Sequence, residues 1–227
     1  MKFLLIGCNG KMGKTIINLA REYDDIIVCG IDTKDLNLNF KTYLSTEEVK
    51  EDFDAIIDFS TTENHVKYIN LALARNVPYG LFSTLANQET KSHLKKAGQF
   101  IPILFCKNAS VGVNILYELI NICANNINDC DAIIQEYHHK QKLDKPSGTA
   151  REIERILDDN DIKYETHSFR VGKEQGTHTI QFFLQDETIT LTHTALSRDV
   201  FARGAIIAMH NLKEKENGLY FKPPKTT

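Results

Sequence analysis

Long apolar runs, paired cysteines and a dominant sign of charge are all missing from this chain. No segment approaches the roughly 20 apolar residues of a membrane helix, and the apolar part of MKFLLIGCNGKMGK is too short for a secretory signal. No membrane partner is therefore expected. The five cysteines (Cys8, Cys29, Cys106, Cys123 and Cys130) are odd in number and never form a CxxC pair. That pattern argues against a disulfide framework or a zinc site and for reduced thiols in a cytoplasm. A formal net charge of −3 supplies no global basic field, so no nucleic-acid partner is expected. Neither HxH nor HExxH spacing occurs, so no metal is expected. Internal repeats and low-complexity tracts are absent too. What is present is an ordinary globular composition, 42% hydrophobic and 25% charged over 227 residues, enough for one large domain or two small ones.

Hydropathy patterning divides the chain. Apolar runs at Lys2–Ile6, Ile26–Ile31, Ala55–Phe59, Val77–Phe82 and Ile101–Phe105 read as buried strands. Helical patterns follow several of them: after Gly13, from a cap at Ser60–Glu63 to Arg75, and over Gln88–Ala97. Short links between alternating strands and helices predict a Rossmann-like, doubly wound parallel sheet. Past Asn108 the rhythm changes. A long helix over Val111–Asn125 precedes a strand at Ala132–Tyr137, a helix beginning at Ser147, and strands at Glu165–Val171, Thr177–Phe183 and Thr188–Thr194. The last alternates with period two, as a sheet with one buried face should. These elements predict a second α+β domain with an open mixed sheet. The final helix, Phe201–Leu212, is expected to return to the first domain. The expected division is a dinucleotide-binding domain over 1–108 and 199–227, and a substrate-binding and oligomerisation domain over 109–198.

Two stretches carry chemistry. Gly7-x-x-Gly10-x-x-Gly13, between a strand and a helix, is a variant of the dinucleotide fingerprint: a tight turn, a bare backbone for the pyrophosphate, and close helix–strand packing. Asp32 ends the second strand about twenty residues on, where an acid hydrogen-bonds an adenosine ribose. An acid there favours NADH over NADPH, but Lys34 lies near enough to offset its charge and Lys11 sits in the glycine loop, so NADH or NADPH both stay open, with NADH preferred. The second stretch is Glu136–Ala150, EYHHKQKLDKPSGTA. His138 and Lys142, four apart in an exposed loop, offer a group that titrates near neutrality and a cation. Ser147-Gly148-Thr149, at a helix start, offers free backbone N–H groups and hydroxyls for a carboxylate. The bland alternatives are surface histidines, a solvated lysine face and a simple helix cap.

The run Glu136-x-His138-His139-x-x-Lys142-x-Asp144-x-Pro146-Ser147-Gly148-Thr149-Ala150 closely resembles the signature of the 4-hydroxy-tetrahydrodipicolinate (dihydrodipicolinate) reductases. Gly7-x-x-Gly10-x-Met12-Gly13, Asp54–Ser60, Asn108–Asn114, Arg170-x-Gly172-x-x-x-Gly176-x-His178 and His193–Ala205 resemble further parts of that family, so most of the chain is covered. The resemblance implies NAD(P)H-dependent reduction of a cyclic imine dicarboxylate in lysine biosynthesis, with release of water. It makes His138 the catalytic acid and Lys142 a second catalytic residue. His139, Lys142, Gly148 and Thr149 become substrate contacts; Ser147 joins them from its place at the helix start, and Arg198 is a further anion contact or an interdomain strut. A dianion beside His138 would favour its protonated form. Cofactor contacts are implied at Gly7, Asn9, Gly10, Lys11, Met12, Gly13 and Asp32, at Phe59 and Ser60, at Phe82, Ser83 and Thr84, and at Lys107 and Asn108. A homotetramer built through the second-domain sheets is implied as well.

Two departures stand out. Gly80-Leu81-Phe82-Ser83-Thr84-Leu85 replaces the family's usual Gly-Thr-Thr-Gly, so side chains at 82 and 85 are expected to narrow the cofactor's approach. The chain is also short for the family after Asp32 and between the later strands. Competing readings are an aspartate or homoserine dehydrogenase, which would not need the HHxxK…PSGTA run, and a non-catalytic dinucleotide sensor.

Overall fold

The computed structural model describes residues 1–34, 38–61, 64–83, 86–127 and 129–223. It divides into two units, Met1–Ser110 with Phe201–Thr227, and Val111–Val200. No helix among the described residues is long and apolar enough to cross a membrane.

In the first unit, among the described residues, seven strands form a sheet: β1 (Lys2–Ile6), β2 (Ile26–Ile31), β3 (Lys41–Tyr43), β4 (Ala55–Asp58), β5 (Tyr79–Leu81), β6 (Pro102–Phe105) and β11 (Gly218–Tyr220). Their order is β11-β6-β5-β4-β1-β2-β3 and every pairing is parallel. β1 shows why an unbroken apolar run is needed. Phe3 and Leu5 enter one core with Ile16 and Leu19 of α1 (Lys11–Ala20) and Ala205, Ile206 and Met209 of α6 (Asp199–Lys213). Leu4 and Ile6 enter the opposite core with Tyr68 and Ile69 of α2 (His65–Arg75) and Leu94 of α3 (Gln88–Ala97). A strand buried on both faces leaves no polar position, and each such side chain contributes about 1.5–3 kcal/mol of apolar burial. α6 packs in this unit through Ala205, Ile206 and Met209. β11 was not legible: three half-buried residues pairing with β6 carry too little period to mark a strand.

One local expectation is corrected. The cap of α2 is not Ser60: the helix starts at His65 behind Asn64, which makes no side-chain cap bond. Ser60 donates its backbone N–H to Asp58 Oδ1 instead, at 2.7 Å. Thr62 and Glu63, from the same expected cap, lie outside the described residues.

The second unit is a four-stranded mixed sheet, order β10-β9-β7-β8, from β7 (Asp131–His138), β8 (Lys163–Arg170), β9 (Thr177–Phe183) and β10 (Thr188–Thr194). β7 and β8 are parallel, and the other pairs are antiparallel. α4 (Val111–Asn126) and α5 (Gly148–Asp158) cover one face, through Leu116, Ile120, Ile153 and Leu157. On that face the register stacks residues in rows. Tyr164, Ala132, Phe182 and Ile189 form one row, and Thr166, Ile134, Ile180 and Leu191 the next. Then the chemistry changes: Ser168, Glu136, His178 and His193 form the third row, and Arg170 pairs with His138 in the fourth. The same alternation that builds the core thus carries polar groups into line at one end of the sheet.

Candidate active site

The first unit offers a cleft of about 530 Å³ beyond the carboxyl ends of β1, β2 and β4, where the strand order reverses. Gly7, Asn9, Gly10, Lys11, Met12, Gly13, Asp32, Phe59 and Ser60 line it. Gly7 sits at φ +77°, in the left-handed region, and its N–H donates to the Ile31 carbonyl at 2.9 Å. A Cβ on Gly13 would lie 2.3 Å from the Gly7 carbonyl oxygen, so α1 can approach the turn only with glycine there. Gly10 caps α1 without a side-chain bond, leaving a helix start whose N–H groups and dipole suit a phosphate. These features fit a dinucleotide's pyrophosphate.

Asp32 is held more firmly than a lone ribose contact requires. Its Oδ2 accepts the Asn9 N–H at 2.8 Å, and its Oδ1 accepts the Thr33 N–H at 2.7 Å. The carboxylate therefore ties the glycine loop to the end of β2. A second clamp sits behind β4, where buried Asp58 takes the Tyr79 hydroxyl at 2.6 Å, His65 Nδ1 at 3.1 Å and the Ser60 N–H. Burial and the adjacent Asp58 charge push the Tyr79 hydroxyl well above its usual range. This network fixes the backbone that carries Phe59 and Ser60.

Phe82, Ser83, Lys107 and Asn108 do not line the cleft, and Thr84 and Leu85 lie outside the described residues. Phe82 corrects an expectation. Its ring is buried, stacked on Phe59 with centroids 5.0 Å apart and planes at 12°. It packs against Gly80, where an added Cβ would lie 2.9 Å from the Phe82 ring. The bulk that replaces a family glycine goes into the core, and Gly80 makes the room. Asn108 Oδ1 accepts the Ser110 N–H at 2.9 Å, and Lys107 beside it is exposed.

In the second unit, His138 is not in an exposed loop: it is the last residue of β7 and only 7% exposed. Its Nδ1 makes a short hydrogen bond to Glu136 Oε2. Glu136 is fully buried, and its Oε1 accepts from Arg170 Nη2 at 2.9 Å. Burial pushes this carboxyl up, but the hydrogen bonds from His138, Arg170 and Ser168 outweigh it and hold it at about 2. Glu136 is therefore an anion at neutral pH, and Nδ1 must be the donor. Arg170 also donates to the carbonyls of Lys142 (3.3 Å) and Asp144, so the loop that carries Lys142 hangs from the same guanidinium. Lys142 Nζ lies 2.8 Å from Asp144 Oδ1. Burial raises the Asp144 carboxyl, and the Lys142 hydrogen bond and charge more than reverse this.

Ser147 caps α5: its Oγ accepts the Ala150 N–H at 3.2 Å and pairs with His178 Nε2 at 3.1 Å. The hydroxyl is thus engaged on both sides, while Gly148 and Thr149 open the helix behind it. His178 is 4% exposed, and its ring meets that of His138 edge-on at 5.1 Å. Burial, then the neighbouring His138, pushes the His178 imidazole down to about 3, so it stays neutral. Glu136, His138 and His178 lie within reach of a shared ion. Both Glu136 oxygens already serve His138 and Arg170, and that balances the charge without a metal. His139 follows β7, half-buried, and half-buried Arg198 lies between β10 and α6 with no hydrogen bond into this cluster. Sequence reasoning gave no role to Glu136, Arg170 or His178. The spacing Glu136-x-His138 on a strand puts both on one face, and Arg170 and His178 stand in a run that resembles the family.

Comparison with known proteins decides the family. The family model described as dihydrodipicolinate reductase, N-terminus, matches residues 1–109, and that described as dihydrodipicolinate reductase, C-terminus, matches residues 112–222. The chain belongs to the dihydrodipicolinate reductase family. It is 34% identical to the 4-hydroxy-tetrahydrodipicolinate reductase of Caldanaerobacter subterraneus subsp. tengcongensis, over 97% of this chain and 96% of that one. It is 31% identical to the enzyme of the same name from Clostridium tetani, over 97% and 94%. Among solved structures, dipicolinate-bound dihydrodipicolinate reductase from Paenisporosarcina sp. TG-14 shares the fold. Its TM-score is 0.83 at 20% identity, covering 98% of this chain and 97% of that one. The chain is accordingly an NAD(P)H-dependent oxidoreductase of the reductive step in lysine biosynthesis, which removes the aspartate or homoserine dehydrogenase and sensor alternatives.

Proposed function

We propose that the second unit holds 4-hydroxy-tetrahydrodipicolinate and protonates it from His138, while the first unit holds the nicotinamide dinucleotide. The observation that carries this reading is the Glu136–His138 pair. With Nδ1 committed to a buried carboxylate, Nε2 is the nitrogen left for substrate. It lies beside Gly176, where an added Cβ would be 3.1 Å away. Bound NAD(P)H supplies the hydride. In the balance of the reaction one hydride and one proton enter the ring and one water leaves. His138 gives the proton to the carbon next to the one reduced. Lys142 and His139 face the substrate's charge, and the N–H groups at Gly148 and Thr149 hold a carboxylate. Ser147 serves this site through its cap, and Arg198 is a further anion contact. Asp32, Lys11, Asn9 and the loop glycines bind the dinucleotide, with Phe59, Ser60, Ser83, Lys107 and Asn108 completing its surroundings.

NADH is the favoured cofactor in this reading, because the Asp32 carboxylate at the cleft edge repels a 2′-phosphate. A homotetramer built through the second-unit sheets is supported by the outer face of that sheet. There Thr179 and Thr192 pair at 3.1 Å, Tyr137 stacks on Phe169 at 4.7 Å, and Phe183 is exposed. The five free cysteines suit a reducing cytoplasm. The test is oxidation of NADH and of NADPH with substrate made in situ from pyruvate and aspartate semialdehyde. Turnover with both and a higher kcat/KM for NADH is expected. Folded protein that turns over neither overturns the reading.

A further inference from the structure

His138 ends a strand whose inward column runs Ala132, Ile134, Glu136, His138. Glu136 is two residues before it on the same face, fully buried, with one oxygen on His138 Nδ1 and the other on Arg170. Arg170 is the register partner of His138 on β8 and is itself fixed by three backbone carbonyls, those of Lys142, Asp144 and Phe169. We propose that Glu136, braced by Arg170, is the positioning residue for His138: it holds the imidazole through Nδ1 and thereby commits Nε2 to the substrate. Glu136 touches neither substrate nor cofactor in this role.

The chemistry requires such a brace. An imidazolium that gives up its Nε2 proton is left as the Nδ1–H tautomer, and the carboxylate accepting Nδ1–H is the arrangement that stabilises both forms. The ring is held on its other sides as well. His178 meets it edge-on at 5.1 Å from β9, and Gly176 lies against Nε2 with φ +149°, leaving open the space that a side chain would fill. The charged and titratable groups that face His138 are therefore Glu136 on its own strand, Arg170 on β8, His178 on β9, and Lys142 and Asp144 in the following loop. Arg170 has a second effect. Because it holds Glu136 and the Lys142 carbonyl together, the acid and the lysine are set by one guanidinium.

The inference rests on His138 being the proton donor, so its test has an arm that needs no turnover. In histidine-labelled wild-type protein, the ¹⁵N shifts of the His138 ring, assigned with His138→Gln, are expected to show a proton on Nδ1 in the neutral ring. A neutral ring protonated on Nε2 alone overturns the proposal, whatever the activity. In Glu136→Gln the expected result is a fall in kcat of roughly 10-fold or more with KM changed far less, since the loss belongs to proton delivery. The ring's tautomer populations should become mixed, and the pH–rate profile should move to lower pH as the negative charge is removed. A folded Glu136→Gln protein with wild-type kcat and an unchanged profile also overturns it. Should Glu136→Gln fail to fold, the wild-type spectrum alone decides. An active His138→Gln would sink the reading of His138 as acid while leaving the spectroscopic result standing, so the two failures are distinguishable.

Discussion

The cleft of the first unit and the polar cluster of the second are built from different materials. The cleft of the first unit is mostly backbone: a glycine at positive φ, a helix start without a side-chain cap, and a carboxylate spent on two amides. The cluster of the second unit is mostly side chain, drawn from β7, β8, β9 and the cap of α5, and buried except for half-buried Arg170. A backbone site tolerates changes that respect its turn and fails when a Cβ intrudes. A side-chain site tolerates little, because each member satisfies another in low dielectric.

Substitutions that sharpen this contrast are ordered by their expected size. His138→Gln should lower kcat by roughly 100-fold or more while KM changes little, since proton delivery belongs to the transition state; steady-state kinetics read this, and an unchanged kcat removes His138 from the acid role. Gly13→Ala puts a carbon 2.3 Å from the Gly7 oxygen and 2.7 Å from Cys8 backbone atoms. Overpacking of that kind costs about 1–3 kcal/mol. Where the strain opens the loop, Kd for NADH should rise by roughly tenfold or more, measured by fluorescence titration. Gly10→Ala, whose Cβ would meet the same oxygen at 3.2 Å, should do distinctly less.

Asp32→Asn tests whether the carboxylate also selects the cofactor. Removing its charge should improve NADPH relative to NADH by about three- to tenfold, the scale of one partly screened charge pair. An equal loss for both cofactors would mean that Asp32 only ties Asn9 to Thr33. A separate effect, outside that order, is on stability against pH. His178 is held below its usual range, at about 3. A base depressed in this way stabilises the fold fully above its unfolded value of about 6.5, and that contribution fades as pH falls toward 3. Glu136, a carboxyl held at about 2, acts with the same sign but only once pH drops below its unfolded value of about 4.3. Thermal melts between pH 6.5 and 4.5 should therefore fall less steeply in His178→Gln than in wild type. Parallel curves would show that His178 is not buried as a neutral ring.

Much of the first unit was legible in advance because its signals are local. An unbroken LLI-type run, three glycines at fixed spacing and an acid twenty residues on all lie within one strand–turn–helix–strand segment. The helix start at Ser147 was legible for the same reason. What escaped was non-local or weakly periodic. β11 pairs with β6 across more than a hundred residues of chain, and the Phe82 ring finds room only because Gly80 and the face of Phe59 lie beside it. His138 read as a loop residue because its neighbours are polar. It is buried because β7 runs one residue further than its apolar pattern, between β8 and β9.

The amino-acid sequence by itself determined the Rossmann-like sheet, the glycine turn with Asp32, the change of architecture after Asn108, and the histidine–lysine signature that marks the family. Those features depend on backbone preference and spacing within short windows. Only the tertiary structure decided that Nδ1 of His138 faces Glu136, that Arg170 holds the other oxygen of that carboxylate, and that His178 is buried against the His138 ring. Strand register brings residues 136, 138, 170 and 178 to one end of one sheet, where hydrogen bonds hold the Glu136 carboxyl down and burial holds the His178 imidazole down.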